Sequence, residues 1–225
     1  MLYGSQSRRD AGPGSDVDVL AVVERNPQSL HAGDLSVVCY TRNQLVAMVD
    51  ARSLFGWHLR QEGTVLFDDC DSVRALANQL GPDPDQTLSL VRRFSVVLGA
   101  SVAELRIHTP RVTQVAAYLL RSAIYAVSFK SGWNTFQLEA AAAHIESPEL
   151  ATYVRDKSGR AEVLSAIEDG LGSLCGPLPS NEFGSITALA VRMLSEDPPL
   201  GALAVQAIMT SEDELDYANL PVPAL

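Results

Sequence analysis

The stretch Tyr3-Gly4-Ser5-Gln6-Ser7-Arg8-Arg9-Asp10-Ala11-Gly12-Pro13-Gly14-Ser15-Asp16-Val17-Asp18-Val19-Leu20-Ala21-Val22-Val23 decides how the rest of the chain is read. It holds the end of a strand, a Gly-Ser turn, a polar connector, and then a β-branched run carrying two aspartates one residue apart. Side chains alternate across a strand, so Asp16 and Asp18 are expected on one face, with Val17 and Val19 pointing into the core. Two carboxylates at that spacing repel unless a cation sits between them. Hard oxygen donors with open coordination positions suit Mg²⁺, which completes its shell with water and phosphate oxygens. Gly4 lets backbone N–H groups approach a phosphate, and a short helix starting at Ser5 would aim its positive end at that anion. Arg8, one turn further on, is expected to neutralise charge developing on a transferred group.

In this order and spacing the residues resemble the polymerase β-like nucleotidyltransferase superfamily, especially its small prokaryotic members and the aminoglycoside adenylyltransferases. The family pattern is Gly-Ser, a polar connector, then Asp-x-Asp in a hydrophobic strand. Gly4, Ser5, Arg8, Asp10, Ala11, Pro13, Ser15, Asp16 and Asp18 match it. Gln6 stands where arginine is common, Arg9 where glycine is common, and Gly14 where Asp or Asn is common. The bland alternative is a solvent-facing strand edge after a polar turn. It leaves the ordered run of matching positions unexplained.

The resemblance implies a Mg²⁺-dependent transfer of a nucleoside monophosphate from an NTP, with ATP the expected donor, to a hydroxyl of a small molecule or protein. Asp16 and Asp18 would hold one or two metal ions. Gly4, Ser5 and Arg8 would cradle the triphosphate. The family also carries a third acidic residue on a neighbouring strand, as metal ligand or base. Asp34, which opens Asp34-Leu35-Ser36-Val37-Val38-Cys39-Tyr40, is the candidate, brought beside Asp18 by a hairpin. With Ser36 in that place, the chain would be a weak or inactive nucleotide-binding regulator, antitoxin-like in character. Relatives have a helix and most of a strand before Gly-Ser, whereas only Met1-Leu2-Tyr3 precede it here. The chain is therefore expected to start late and to lack the usual N-terminal helix, which would leave it inactive or dependent on a homodimer.

Working outward, the chain reads as α+β: a small mixed-sheet nucleotidyltransferase domain over 1–82, a helical bundle over 86–216, and a loose tail over 217–225. Strands are expected at Val17 to Val23, Leu35 to Tyr40 and Thr64 to Phe67. Helical spacing runs from Asn43 to Arg60 and again over Val73 to Leu80. Gly81-Pro82-Asp83-Pro84-Asp85 is the clearest boundary. Beyond it, helices are expected at 86–107, 112–130, 135–144, 148–156, 160–173, 181–195 and 199–209. The run from Thr113 to Val127 is nearly apolar all round, the mark of a buried central helix. Arg121 inside it is expected to be buried and paired, with a substrate phosphate or with a structural carboxylate such as Glu139.

The net charge of −10 and pI of 4.8 argue against general nucleic-acid binding, which needs a basic surface. Cys39, Cys70 and Cys175 show no metal-binding spacing and read as isolated thiols. No signal segment opens the chain, and the longest apolar stretches are read as short of a membrane span, so a cytoplasmic protein without membrane contact is expected. His58, in His58-Leu59-Arg60-Gln61-Glu62-Gly63, reads as packing. Its spacing from Arg52 resembles the RNase motif of helical HEPN domains but falls in the wrong domain. His108 and His144 read as surface or capping residues. Arg92, Arg93, Lys130, Trp133 and Asn134 are further cleft candidates.

Overall fold

The computed structural model describes residues 1–25, 28–68, 71–73, 76, 81–99, 102–156, 158–180, 185–196 and 201, setting aside the side chains of 97, 99, 102–111, 186 and 196. The architecture is mixed α+β, and it divides into two compact units, one holding Met1–Pro82 and the other starting at Asp83.

The first unit is built on a four-stranded mixed sheet of order β1-β2-β4-β3. Its strands are β1 (Leu2–Tyr3), β2 (Val17–Val23), β3 (Ser29–Ala32) and β4 (Leu35–Thr41). The helix α1 (Gly4–Arg8) follows β1 directly. β1 runs antiparallel to β2, placing Tyr3 opposite Asp18. β2 and β4 are parallel, with Asp18 opposite Ser36. β3 was not expected, because Ser29-Leu30-His31-Ala32 is short and polar. It forms the outer edge of a tight hairpin with β4, whose turn starts at Gly33 with φ of +59°, a conformation open to glycine without Cβ strain.

The core lies on the face of Tyr3, Leu20, Val38 and Tyr40, closed by Leu45, Met48 and Leu59, with Val22 packed against it. That corrects the expected orientation of β2. Strand periodicity puts Asp18 on the same face as Leu20 and Val22, while Val17 and Val19 lie half-buried on the other. Asp18 thus sits at the end of the core face, beside α1.

The helical stretch expected from Asn43 to Arg60 is two helices, α2 (Arg42–Asp50) and α3 (Leu54–Glu62). Thr41 and Gln44 close a capping box on α2, and Ser53 caps α3. Arg52 occupies the break with φ of +51°, and its guanidinium donates to the carbonyl oxygens of Gly81 and Pro82 at 2.9 and 3.4 Å. The expected third strand does not form. Thr64 makes only an isolated bridge to Leu2, and Val65, Leu66 and Phe67 are exposed. Apolar composition alone could not supply the missing strand partner. Of the helix expected over Val73 to Leu80, only Val73 and Leu76 lie among the described residues.

The second unit contains α4 (Pro84–Phe94), α5 (Val102–Lys130), α6 (Leu138–His144), α7 (Glu149–Arg155), α8 (Ala161–Cys175) and α9 (Ile186–Glu196). Asp83 caps α4, with Pro84 at its first position. A 3₁₀ turn (Ser95–Gly99) follows α4, and α5 runs through Pro110, so the single break expected between 107 and 112 does not occur there. Val115, Ala116, Leu119, Leu120, Ala123 and Ile124 of α5 are buried, packed by α4, α6, α7 and α8. Val112–Lys130 does reach the length and apolarity of a membrane span, and 72% of it is buried inside the protein. The expected helix over 199–209 and the tail fall outside the described residues, apart from Gly201.

Candidate functional site

The first residue of α1 brings the Gly-Ser turn up to the second aspartate of Asp-x-Asp. Gly4 is buried with φ of +72°, and a Cβ built on it would stand 2.7 Å from Oδ2 of Asp18. The strand pairing of Tyr3 with Asp18 brings the two together; the left-handed backbone favours glycine, and a Cβ there would oblige the carboxylate to shift. Asp18 is half-buried, whereas Asp16, just before β2, is exposed. Ser5 is half-buried at the start of α1.

Two connector positions acquire a physical reason. Arg9 ends α1 in the left-handed conformation at φ of +65°, and Gly14 takes φ of +80°. Glycine takes that region freely, whereas Arg9 adopts it as the left-handed end of a helix. Ser15 closes the connector by accepting from the N–H of Gly12 at 2.9 Å.

Asp34 lies in the hairpin turn, and its carbonyl accepts from the N–H of Val17 at 2.7 Å. It therefore flanks the start of β2, beside Asp16 in the chain's register. Its strand is a parallel neighbour of β2, not the hairpin partner expected. Ser36 is the β4 residue directly opposite Asp18.

Arg8 directs its guanidinium to carboxylates other than Asp16 and Asp18. Its guanidinium is shared between Asp10, at 3.0 Å, and Glu62, at 2.5 Å. Glu62 also meets Nε2 of His58 at 2.8 Å. Burial by itself would raise the Glu62 pKa. The hydrogen bonds and charges of His58 and Arg8 outweigh it and hold the carboxyl below its ordinary value. The His58 ring packs edge-on against Tyr3 and Phe55. The Arg8–Glu62 half of this cluster joins distant segments and was invisible to spacing, whereas the His58-x-x-x-Glu62 separation of one helical turn was a usable signal.

The remaining candidates lie in the second unit. Arg121 is exposed, not buried, with its guanidinium 5.5 Å from the centre of the Tyr118 ring. Glu139 pairs instead with Arg155. Arg121 itself reaches solvent from an otherwise largely buried stretch of α5, so no desolvation penalty demands a partner. Arg92 donates to the Pro177 carbonyl at 2.9 Å, and Lys130 pairs with Asp85 at 2.7 Å. Arg93 and Asn134 are exposed. Trp133 stacks on His144 with centroids 5.1 Å apart. The side chain of His108 and Cys70 are outside the described residues. Cys39 and Cys175 are free thiols, and burial pushes Cys175 up to about 11 despite Arg92 nearby.

Among the described residues no group of three or more His, Cys, Asp or Glu side chains forms a metal cage. Mg²⁺ rarely uses one. It is commonly held by one or two carboxylates together with substrate phosphates, and Asp16 with Asp18 fits that donor set.

No family model, curated protein or solved structure matches the chain. The chemistry of the site rests on its own residues.

Proposed function

We propose that the first unit is a Mg²⁺–nucleotide site of the nucleotidyltransferase type, moving a nucleoside monophosphate from an NTP, with ATP as expected donor, to a hydroxyl of a small molecule or protein. The observation that carries this reading is the approach of the Asp18 carboxylate to Gly4, 2.7 Å from the place of a Cβ. It joins an acidic strand end to a backbone turn that has no side chain to obstruct a phosphate. Asp16 and Asp18 would hold the metal, whose contribution would be to offset phosphate charge. Ser5 offers its hydroxyl to the phosphates. Asp34, beside the start of β2, is the candidate base for the acceptor hydroxyl. Arg8 serves the site by fixing α1.

One observation favours a second reading. Ser36, not an acid, stands opposite Asp18, which suits a nucleotide-binding regulator with weak or no turnover.

Thermal shift with Mg²⁺ and ATP, compared among wild type, Asp16→Asn and Asp18→Asn, tests the site. Stabilisation of the wild type alone is expected, and equal shifts in all three would sink the assignment. Transfer of label from ATP to candidate acceptors then separates the two readings: binding without transfer favours the regulator.

A further inference from the structure

Glu62 ends α3, and it grips α1 at two successive residues. Its carboxylate takes the Arg8 guanidinium at 2.5 Å, and its backbone carbonyl accepts from the Ser7 hydroxyl. The same Ser7 oxygen lies 2.9 Å from the Thr64 hydroxyl. On its other side Glu62 meets His58. Its side chain is only 11% exposed, against 23% for Arg8, so the Arg8–Glu62 pair is partly shielded from water. Arg8 adds a bond to Asp10 at 3.0 Å, which ties the connector to the same guanidinium.

A helix of five residues cannot hold itself together, because nucleation costs more than so few backbone bonds return. The placement of α1 is therefore set from outside, and Glu62 supplies much of it. At the other end of α1, Gly4 meets the Asp18 carboxylate. The line of contact runs from Glu62 through Ser7 and Arg8 along α1 to Gly4, and from Gly4 to Asp18.

We propose that Glu62 is a positioning residue for the metal–nucleotide site, acting through Arg8 and α1 on the Asp18 carboxylate, with His58 holding Glu62 in turn. The proposal rests on the reading of the site given above. It reassigns Arg8: the arginine serves nucleotide binding by being held, not by touching phosphate.

The test uses the full chain with Mn²⁺ and a non-hydrolysable ATP analogue, bound Mn²⁺ being read by electron paramagnetic resonance below the unfolding range of every variant. Glu62→Gln keeps the shape and removes the charge. Its Mn²⁺–nucleotide affinity is expected to fall about ten- to a hundredfold, the usual cost of losing an outer support of a metal ligand. Glu62→Asp should recover part of the loss. Ser7→Ala, which removes the other tie, should weaken binding in the same direction and serves if Glu62→Gln fails to fold. Gly170→Ala, a destabilising change in the second unit, should leave affinity unchanged and so separates positioning from general instability. Full affinity in Glu62→Gln, or an equal loss in Gly170→Ala, overturns the positioning role alone. No Mn²⁺–nucleotide signal from the wild type overturns the functional reading, and the positioning role with it.

Discussion

Asp18 and Gly4 meet across the β1–β2 pairing so closely that a methyl group on Gly4 would lie 2.7 Å from the Asp18 carboxylate. Gly4→Ala is therefore expected to act twice. A left-handed backbone costs a residue with a Cβ about 1–2 kcal/mol, and the clash adds to it. Chemical denaturation should show lower stability. Mg²⁺–ATP should stabilise this variant less than the wild type, because the carboxylate must move. An unchanged nucleotide response would separate Gly4 from the site.

The pairing of Asp18 with Ser36 sets up a gain-of-ligand test. Ser36→Asp places a second carboxylate beside the first, and like charges on neighbouring strands repel. In EDTA the variant should lose up to about 1 kcal/mol. Mg²⁺ or Mn²⁺ should restore that loss and bind more tightly than to the wild type. If metal ions bring no recovery, the two side chains do not share a cation site.

Glu62 gives the first unit an acid-sensitive tie. Its pKa is held below the ordinary 4.5 in the folded chain. A lowered carboxylate pKa stabilises the fold above the unfolded-state pKa and loses that effect as pH falls through the folded value. Stability should thus decline below about pH 4. Glu62→Gln should be less stable at neutral pH and should show a shallower acid decline. Denaturant midpoints from pH 6 down to pH 3 would read both.

Gly170 lets α8 approach α5 and α7. A Cβ there would stand 2.8 Å from Leu150 and 3.3 Å from Leu120, and both leucines are buried. Alanine would gain about 1 kcal/mol in helix propensity. Overpacking costs about 1–3 kcal/mol. Net destabilisation of Gly170→Ala, without loss of helix content by circular dichroism, is the expected result. A more stable variant would show that the leucines can move aside.

Much of this protein was determined locally and was therefore legible. The β-branched run at Val17–Val23, the Thr41 and Ser53 caps, Asp83 before Pro84, and the apolar length of α5 each act within a few residues. The approach of Gly4 to Asp18 was likewise prepared by a strand, a turn and a second strand in sequence.

What the tertiary structure alone decided depends on pairings between distant segments. Alternation along β2 could say that Asp16 and Asp18 face one way, but not which face the helices would cover. The core chose the face of Leu20 and Val22. Spacing could not say which residue of the neighbouring strand would stand opposite Asp18, because a parallel register is set by the whole sheet, and one residue of slip exchanges the faces. It put Ser36 opposite Asp18. Arg8 looked free for a phosphate until α3 brought Glu62 to it from 54 residues away. Arg121 looked buried until packing left its side chain facing solvent. The sharpest case remains Asp18 and Gly4. Their residue types are written in the chain, but the 2.7 Å approach between them exists only once β1 and β2 are paired.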